Sequence, residues 1–417
     1  MKISTEICSL SRRIGEVNAL NMLIKAGFDA FDLSLFDMTR IDWQNHQVIK
    51  VNHPLENDDS AIKIINELKE IALKNNIICN QSHAPYPSDI KEVQNKLPAA
   101  IKYASLCGAP YIVIHPLNDY NAEQNRDFYN SLLPYAKKYN IKIALENMWN
   151  WDYKADIALP AACSNHNDFL KHISLLDENY FVCCLDIGHA EMKGLSTDAV
   201  TMIKTLKNHL KCLHIHDNDK HYDSHELPFT MNIDFEKIID ALVEINYDGD
   251  ITLEADRYLS HFKDDELEIG VKNMYNAVCK LREMFINKKN YYICVHDTAT
   301  THSTNTAYNL ANKINNNSEE MSDGTLTMLL DEIADSHKDM DELGFRQIFI
   351  RIGEDVEPVS AEPDLSDRIN AYVIANKGYT ATEAKLIRDT FRIKETFNRI
   401  EKNIRRLKLR KFEASAY

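Results

Sequence analysis

No uninterrupted apolar run in the 417 residues reaches the ~20 that a bilayer-spanning helix needs. The opening "MKISTEICSLSRRIGE" also lacks the apolar core of a secretory signal. Both absences lead us to expect a cytoplasmic protein with no membrane partner. No CxxC pair occurs among the nine cysteines, an odd number. Most sit in apolar runs such as "YFVCCLDIGH" (180–189), which predicts buried reduced thiols rather than a disulfide framework. Cys183 and Cys184 are adjacent on a predicted strand and should face opposite ways, so they make a poor metal pair. Positive charge is short as well: 48 Lys and Arg against 63 Asp and Glu leave a net charge of -15. That argues against nucleic acid as partner and puts small molecules first. Finally, no G-x-G-x-x-G loop follows the first predicted strand, which removes the main sign of a dinucleotide-binding open sheet.

What is present is enough apolar residue, 44%, to fill a core, and a regular rhythm. Short β-leaning runs recur at 2–8, 30–36, 77–83, 111–116, 142–148, 181–187, 211–217 and 250–255. Amphipathic helical stretches such as 60–75, 89–107 and 234–245 separate them. Eight β/α units within residues 1–285 predict an α/β fold, a closed (β/α)8 TIM barrel. Beyond "FINKKN" the rhythm breaks, and residues 291–417 read as a smaller, mainly helical C-terminal region. It contains one strand-like run, "RQIFIRI" (346–352), and a long helix that opens with a Thr380–Glu383 capping box and carries an apolar stripe from Ile387 to Leu407. Its basic close, "NIRRLKLRKFE" (403–413), could touch nucleic acid or an acidic partner.

One stretch stands apart: "CLHIHDNDKHYDSHEL" (212–227) packs His214, His216, His221 and His225 among Asp217, Asp219 and Asp223. In a barrel the C-terminal strand ends carry function, and residues two apart share a face. Ile112 and Ile114, Ile143 and Leu145, Leu213 and Ile215, and Ile251 and Leu253 then face the outer helices. The intervening residues point inward, and six strand ends offer His83, His115, Glu146, Asp186, His214 and Glu254. Asp186 and His189, three apart on a turn, can reach one ion, as can Asp223 and His225 if that segment is extended. Carboxylates buried together without cations repel, and a divalent metal neutralises them, so a metal site is predicted. His216, His221 and Asp219 are assigned supporting or solvent-facing roles, and Asp217 the task of orienting a ligand histidine.

Taken in order, "SHAPY", "VIHP", "LENM", "LDIGHA", "HIHDND" with "DSH", and "TLE" resemble the xylose isomerase-like barrel superfamily over residues 1–285. That superfamily holds sugar isomerases and epimerases together with type IV apurinic endonucleases. Resemblance to the first branch implies one divalent ion, Mn, Mg, Co or Zn, on Glu146, Asp186, His214 and Glu254. Glu146 and Glu254 are then the acid/base pair that moves a proton through an enediolate. His189 is implied as the holder of a substrate hydroxyl. Lys220 lies where that branch often has an arginine, and Trp149, with Trp151 beside it, could wall the apolar face of a sugar or sugar phosphate.

Resemblance to the second branch implies three zinc ions on His83, His115, Glu146, Asp186, His189, His214, Asp223, His225 and Glu254, and phosphodiester hydrolysis. Against it stand the acidic balance and the loop after Asp223 and His225, where Phe229, Thr230 and Met231 replace an expected glycine. The leading reading is therefore a metal-dependent isomerase/epimerase. A zinc phosphodiesterase, a lyase or dehydratase acting on polyols, and a noncatalytic scaffold are the alternatives. A homo-oligomer is compatible with each.

Overall fold

Alternation along each apolar run sets which residues face the helices, and a computed structural model of the chain, describing residues 1–292, shows that alternation at work. The barrel strands are β1 (Ile3–Thr5), β2 (Ala30–Ser34), β3 (Ile78–His83), β4 (Tyr111–Ile114), β5 (Lys142–Glu146), β6 (Phe181–Asp186), β7 (Leu210–His214) and β8 (Ile251–Leu253). All eight lie within the runs expected, give or take a residue. Strands β2 to β7 form one parallel sheet in chain order, and β1 pairs with β8 in parallel. Two bridges close the ring, Glu6 with Asp32 and Ile215 with Leu253. At the second, Ile215 N–H donates to Thr252 O at 2.9 Å and Glu254 N–H to Ile215 O at 3.0 Å. The result is an eight-stranded parallel barrel.

Ten helices, α1 (Cys8–Ile14), α2 (Glu16–Ala26), α3 (Asp58–Lys74), α4 (Lys91–Cys107), α5 (Ala122–Tyr139), α6 (His166–Ser174), α7 (Ile187–Ala190), α8 (Ala199–Leu206), α9 (Phe235–Glu244) and α10 (Leu267–Tyr292), are described along the chain. Local chemistry sets several boundaries. Asn121 and Gln124 form a capping box at the start of α5, and Gly108, at φ 99°, ends α4 in the left-handed conformation that glycine adopts without a Cβ penalty. The C-terminal expectations, the strand at 346–352 and the helix with its stripe and basic close, fall outside the described residues.

Two separate apolar clusters confirm the parity argument. Ile112, Ile114, Ile143, Leu145, Cys183, Leu185, Leu213, Ile251 and Leu253 join the large core shared with the helices. Val113, Ala144, Val182, Cys184 and Cys212 form their own cluster inside the barrel. Cys183 and Cys184 thus do part to opposite faces. Among the described residues eight cysteines are free thiols, seven of them buried.

Strict alternation fails in β3. Its register to β2 passes from Phe31–Cys79 directly to Asp32–Gln81, leaving Asn80 as a bulge. Asn80 and Gln81 consequently both meet interior partners. Asn80 accepts from Ser4 at 2.8 Å and donates to Thr252 at 3.0 Å, and Gln81 donates to Asp32 at 2.9 Å. Cys79 belongs to the outer core. Without the bulge, counting from Cys79 would turn His83 outward; with it, His83 enters the mouth.

Two antiparallel hairpins, Arg40–Asp42 with Gln47–Ile49 and Trp149–Asp152 with Ile157–Pro160, were not expected from the sequence. They run only three or four residues a side, too short for an alternation to mark them as strands. Both contribute residues to the cavity at the barrel mouth.

Candidate metal centre at the barrel mouth

A cavity of about 630 Å³ opens at the C-terminal strand ends. β5 ends in Glu146, whose Oε2 lies 3.3 Å from His83 Nε2 and 3.1 Å from His115 Nε2. Its Oε1 lies 3.0 Å from Nδ1 of His214, which is also 3.2 Å from Glu254 Oε2. Asp186, at the end of β6, accepts the N–H of His189 at 2.7 Å through Oδ1 and so caps the short α7. Asn147 laces the two strand ends together, donating to Asp186 O at 2.9 Å and accepting from Asp186 N–H at 2.8 Å. Asp223 Oδ2 lies 3.2 Å from His189 Nε2 and 3.1 Å from His225 Nε2. The nine residues singled out from the sequence thus gather around one mouth. They form overlapping groups, His83/His115/Glu146, Glu146/Asp186/His214/Glu254 and His189/Asp223/His225, the last joined by His216; within each group the ligand atoms lie within 4.8 Å of one another.

The tautomers test whether these groups fit a metal. Nδ1 of His83 contacts Ala84 O at 2.8 Å, Nδ1 of His189 contacts Asn147 O at 2.8 Å, and Nδ1 of His225 contacts Glu254 O at 2.7 Å. A carbonyl only accepts, so each Nδ1 carries the proton, and each ring in its neutral form presents its Nε2 lone pair to the cluster. There the lone pairs meet carboxylate oxygens and, at 3.0 Å, His83 Nε2 meets His115 Nε2. In that form lone pairs face lone pairs, and a proton or a metal cation lies between them. In addition, Glu146 Oε2, Asp186 Oδ2, Asp223 Oδ1 and His214 Nε2 are buried without a hydrogen bond.

The electrostatics agree. Burial disfavours charge on His189, yet Asp186 and Asp223 outweigh it and push the imidazole up to about 10. Burial is likewise overcome at His214 and His225, which are pushed well up by neighbouring acidic groups, Glu254 and Asp223 among them. Burial followed by the charge of Glu146 drives Glu254 well above the usual carboxyl range, despite His214. No Lys or Arg is among the described residues lining the cavity. A mouth that draws protons this strongly suits divalent cations, and the mixed imidazole and carboxylate set suits several of them.

A family model for the xylose isomerase-like TIM barrel matches residues 20–276. The chain belongs to this family. An uncharacterised protein of Methanocaldococcus jannaschii is 27% identical over an alignment covering 44% of this chain and 67% of its own. Among solved structures, a D-tagatose 3-epimerase-like protein superposes with TM-score 0.51 at 20% identity, covering 69% of this chain and 99% of that one. D-psicose 3-epimerase from Clostridium cellulolyticum H10 gives 0.51 at 15%, covering 68% and 99%, and an L-ribulose 3-epimerase gives 0.51 at 15%, covering 69% and 95%. At these identities the likeness is one of fold.

Several expectations for this xylose isomerase-like barrel need correction. Lys220 is not brought to the cavity: its backbone is left-handed, φ 66°, and its Nζ donates to Glu191 at 2.8 Å. Trp149 does line the mouth, 6.3 Å from the His189 ring, but Trp151 stacks on Tyr222 at 5.6 Å instead. Asp223 and His225 converge for a different reason than alternation, since His225 sits at φ 46° rather than extended. Asp217 does not use its side chain on a histidine, and only its backbone carbonyl meets one, His216 Nδ1 at 3.5 Å. Its carboxylate accepts the N–H groups of Asn218, Met231 and Ile233 at 2.9, 2.8 and 3.0 Å, stapling the loop after β7. That staple accompanies the loop's missing glycine. Phe229 itself takes the left-handed conformation, φ 72°, at a cost of about 1–3 kcal/mol, and its ring packs on Phe235 and under Lys280.

His216 was assigned only a supporting role, yet its Nε2 reaches Asp186 at 3.1 Å and its ring stacks on His225 at 3.9 Å. Tyr86, 5.1 Å from the His115 ring, and Trp43, on the first hairpin, were missed altogether. Both belong to loops with no periodicity to flag them.

The staple yields a stability prediction. Asp217→Ala strands three buried or half-buried N–H donors, and a loss of about 3 kcal/mol is expected. A urea-denaturation midpoint unchanged from the parent would contradict that role.

Proposed function

We propose that the chain is a divalent-metal-dependent sugar isomerase/epimerase. The observation that carries the reading is the pair of buried carboxylates, Glu146 and Glu254, set against the same His214 nitrogen at the floor of the cavity, with Asp186 completing the group. Such a pair can take a proton from one side of a bound carbon and return it from the other. An ion held by Glu146, Asp186, His214 and Glu254 would supply polarisation of a carbonyl and the adjacent hydroxyl. His189, its Nδ1 committed to Asn147, offers Nε2 to a substrate hydroxyl or to an ion shared with Asp223 and His225. Trp149 offers a flat face to a sugar ring. The family and the fold likeness to sugar epimerases support this reading. Incorporation of solvent deuterium beside the carbonyl of a ketose, with Mn, Mg, Co or Zn supplied in turn, tests it. No exchange with any ketose and metal would refute it.

A second reading, a zinc phosphodiesterase of the apurinic-endonuclease kind, is favoured by one specific observation. The groups built on His83/His115 and on His189/Asp223/His225 add ligand sites that a single-ion isomerase does not require. On that reading the protein nicks a duplex carrying an abasic site, and His115→Ala lowers the rate at least about a hundredfold. An intact duplex after prolonged incubation with zinc would dismiss it.

A further inference from the structure

The cavity has room for more than one sugar ring. Its volume of about 630 Å³ compares with roughly 200 Å³ for one hexose, about seven waters' worth. Beyond the ligand groups, aromatic rings step outward: Tyr86 stands 5.1 Å from His115, and Trp43 a further 6.2 Å from Tyr86. At the rim Trp43 is 63% exposed and Tyr120 48% exposed, large apolar faces turned to water beside a binding cavity. The same lining carries the carboxylates of Asp89 and Asp119. Asp89 contacts His46 at 2.9 Å, Asp119 accepts from Asn150 at 3.0 Å, and no Lys or Arg is among the described lining residues.

Resting on the isomerase/epimerase reading, we propose that the substrate is an uncharged two-ring glycoside. The reacting sugar lies at the floor, and a second ring stacks at an outer subsite made by Trp43 and Tyr120. A sugar ring has an apolar face that an aromatic side chain covers and hydroxyls that donate to carboxylates. A phosphate on the distal end of a sugar would instead meet Asp89 and Asp119, and like charges repel.

Calorimetry on the full chain loaded with Mn tests this with three probes that share one reacting end: fructose, fructose 6-phosphate and isomaltulose, a glucosylated fructose. Isomaltulose should bind about tenfold tighter than fructose, the yield of one good ring stack, and fructose 6-phosphate no tighter. Trp43→Ala should erase the isomaltulose advantage while the fructose affinity moves less than twofold, and Trp43→Phe should keep most of it. The proposal is overturned if fructose 6-phosphate binds tightest, if isomaltulose and fructose bind alike, or if Trp43→Ala weakens both equally. Deuterium exchange is read on the same samples. Preferred isomaltulose binding upholds the outer subsite whether or not exchange is seen, the isomerase reading being tested by the wider screen of ketoses and metals, whereas exchange without that preference upholds the isomerase reading and overturns the subsite.

Discussion

Glu254→Gln should lower the rate of solvent proton exchange into substrate by about 10³ to 10⁴, the contribution expected of a positioned acid or base. Glutamine matches glutamate in shape and keeps a ligating carbonyl, but it loses the negative charge and the ability to carry the proton. Glu254 is suited to the task by its place after β8. Its carboxylate reaches 3.2 Å from His214 Nδ1, the nitrogen that Glu146 also contacts, while its backbone carbonyl fixes His225 at 2.7 Å. Glu146→Gln should show a comparable loss, because epimerisation needs a proton carrier on each face. Metal content is measured on the same preparations, so that lost exchange with a retained ion separates proton transfer from ligation. Exchange at the parent rate in the Glu254 variant would remove it from the reaction.

Stripping divalent ions should have the second largest effect. Glu146, Asp186, Asp223 and Glu254 are brought together with their oxygens partly unpartnered. A bound ion offsets their repulsion and contributes about 4 kcal/mol when present at a thousand times its dissociation constant. For a barrel of this size that corresponds to a fall in Tm of roughly 10 °C on treatment with chelator, reversed by adding the ion back. Elemental analysis before stripping separates the two functional readings. About one ion per chain fits the four-residue group alone, whereas two or three zinc ions per chain bring in His83/His115 and His189/Asp223/His225 and turn attention to phosphodiesters. A protein that carries no ion and melts at the same temperature with or without chelator would rule out both.

The acidic mouth bears on substrate in the same way. A bound ion offsets the carboxylates at the floor, but Asp89 and Asp119 stand further out, where they select for hydroxyls over phosphate. Polarity therefore changes along the cavity, from the acidic and histidine residues at the strand ends to aromatic rings and the carboxylates of Asp89 and Asp119 at the rim.

The eight strands and the floor of the site were legible because a parallel barrel strand is buried on both faces. Its apolar period therefore shows in the sequence, and a His, Asp or Glu that interrupts it at a strand end stands out. Glu146, Asp186, His214 and Glu254 were found by that reasoning alone, before any distance was known. The tertiary structure decided the rest. Only the bulge at Asn80 turns His83 inward, because it depends on how β3 registers against β2 and leaves no mark of its own in the residues. Only the folded loop shows Lys220 drawn away to Glu191 and Asp217 spent on backbone N–H groups. Likewise Trp43 and Tyr86, thirty or more residues from the nearest ligand or embedded in an irregular loop, reach the cavity through hairpin and turn geometry. Composition and periodicity determined the barrel and the acidic and histidine residues at its strand ends, since burial is written in local pattern. Register and loop course determined the shape above them, since those arise from pairings between residues far apart in the chain.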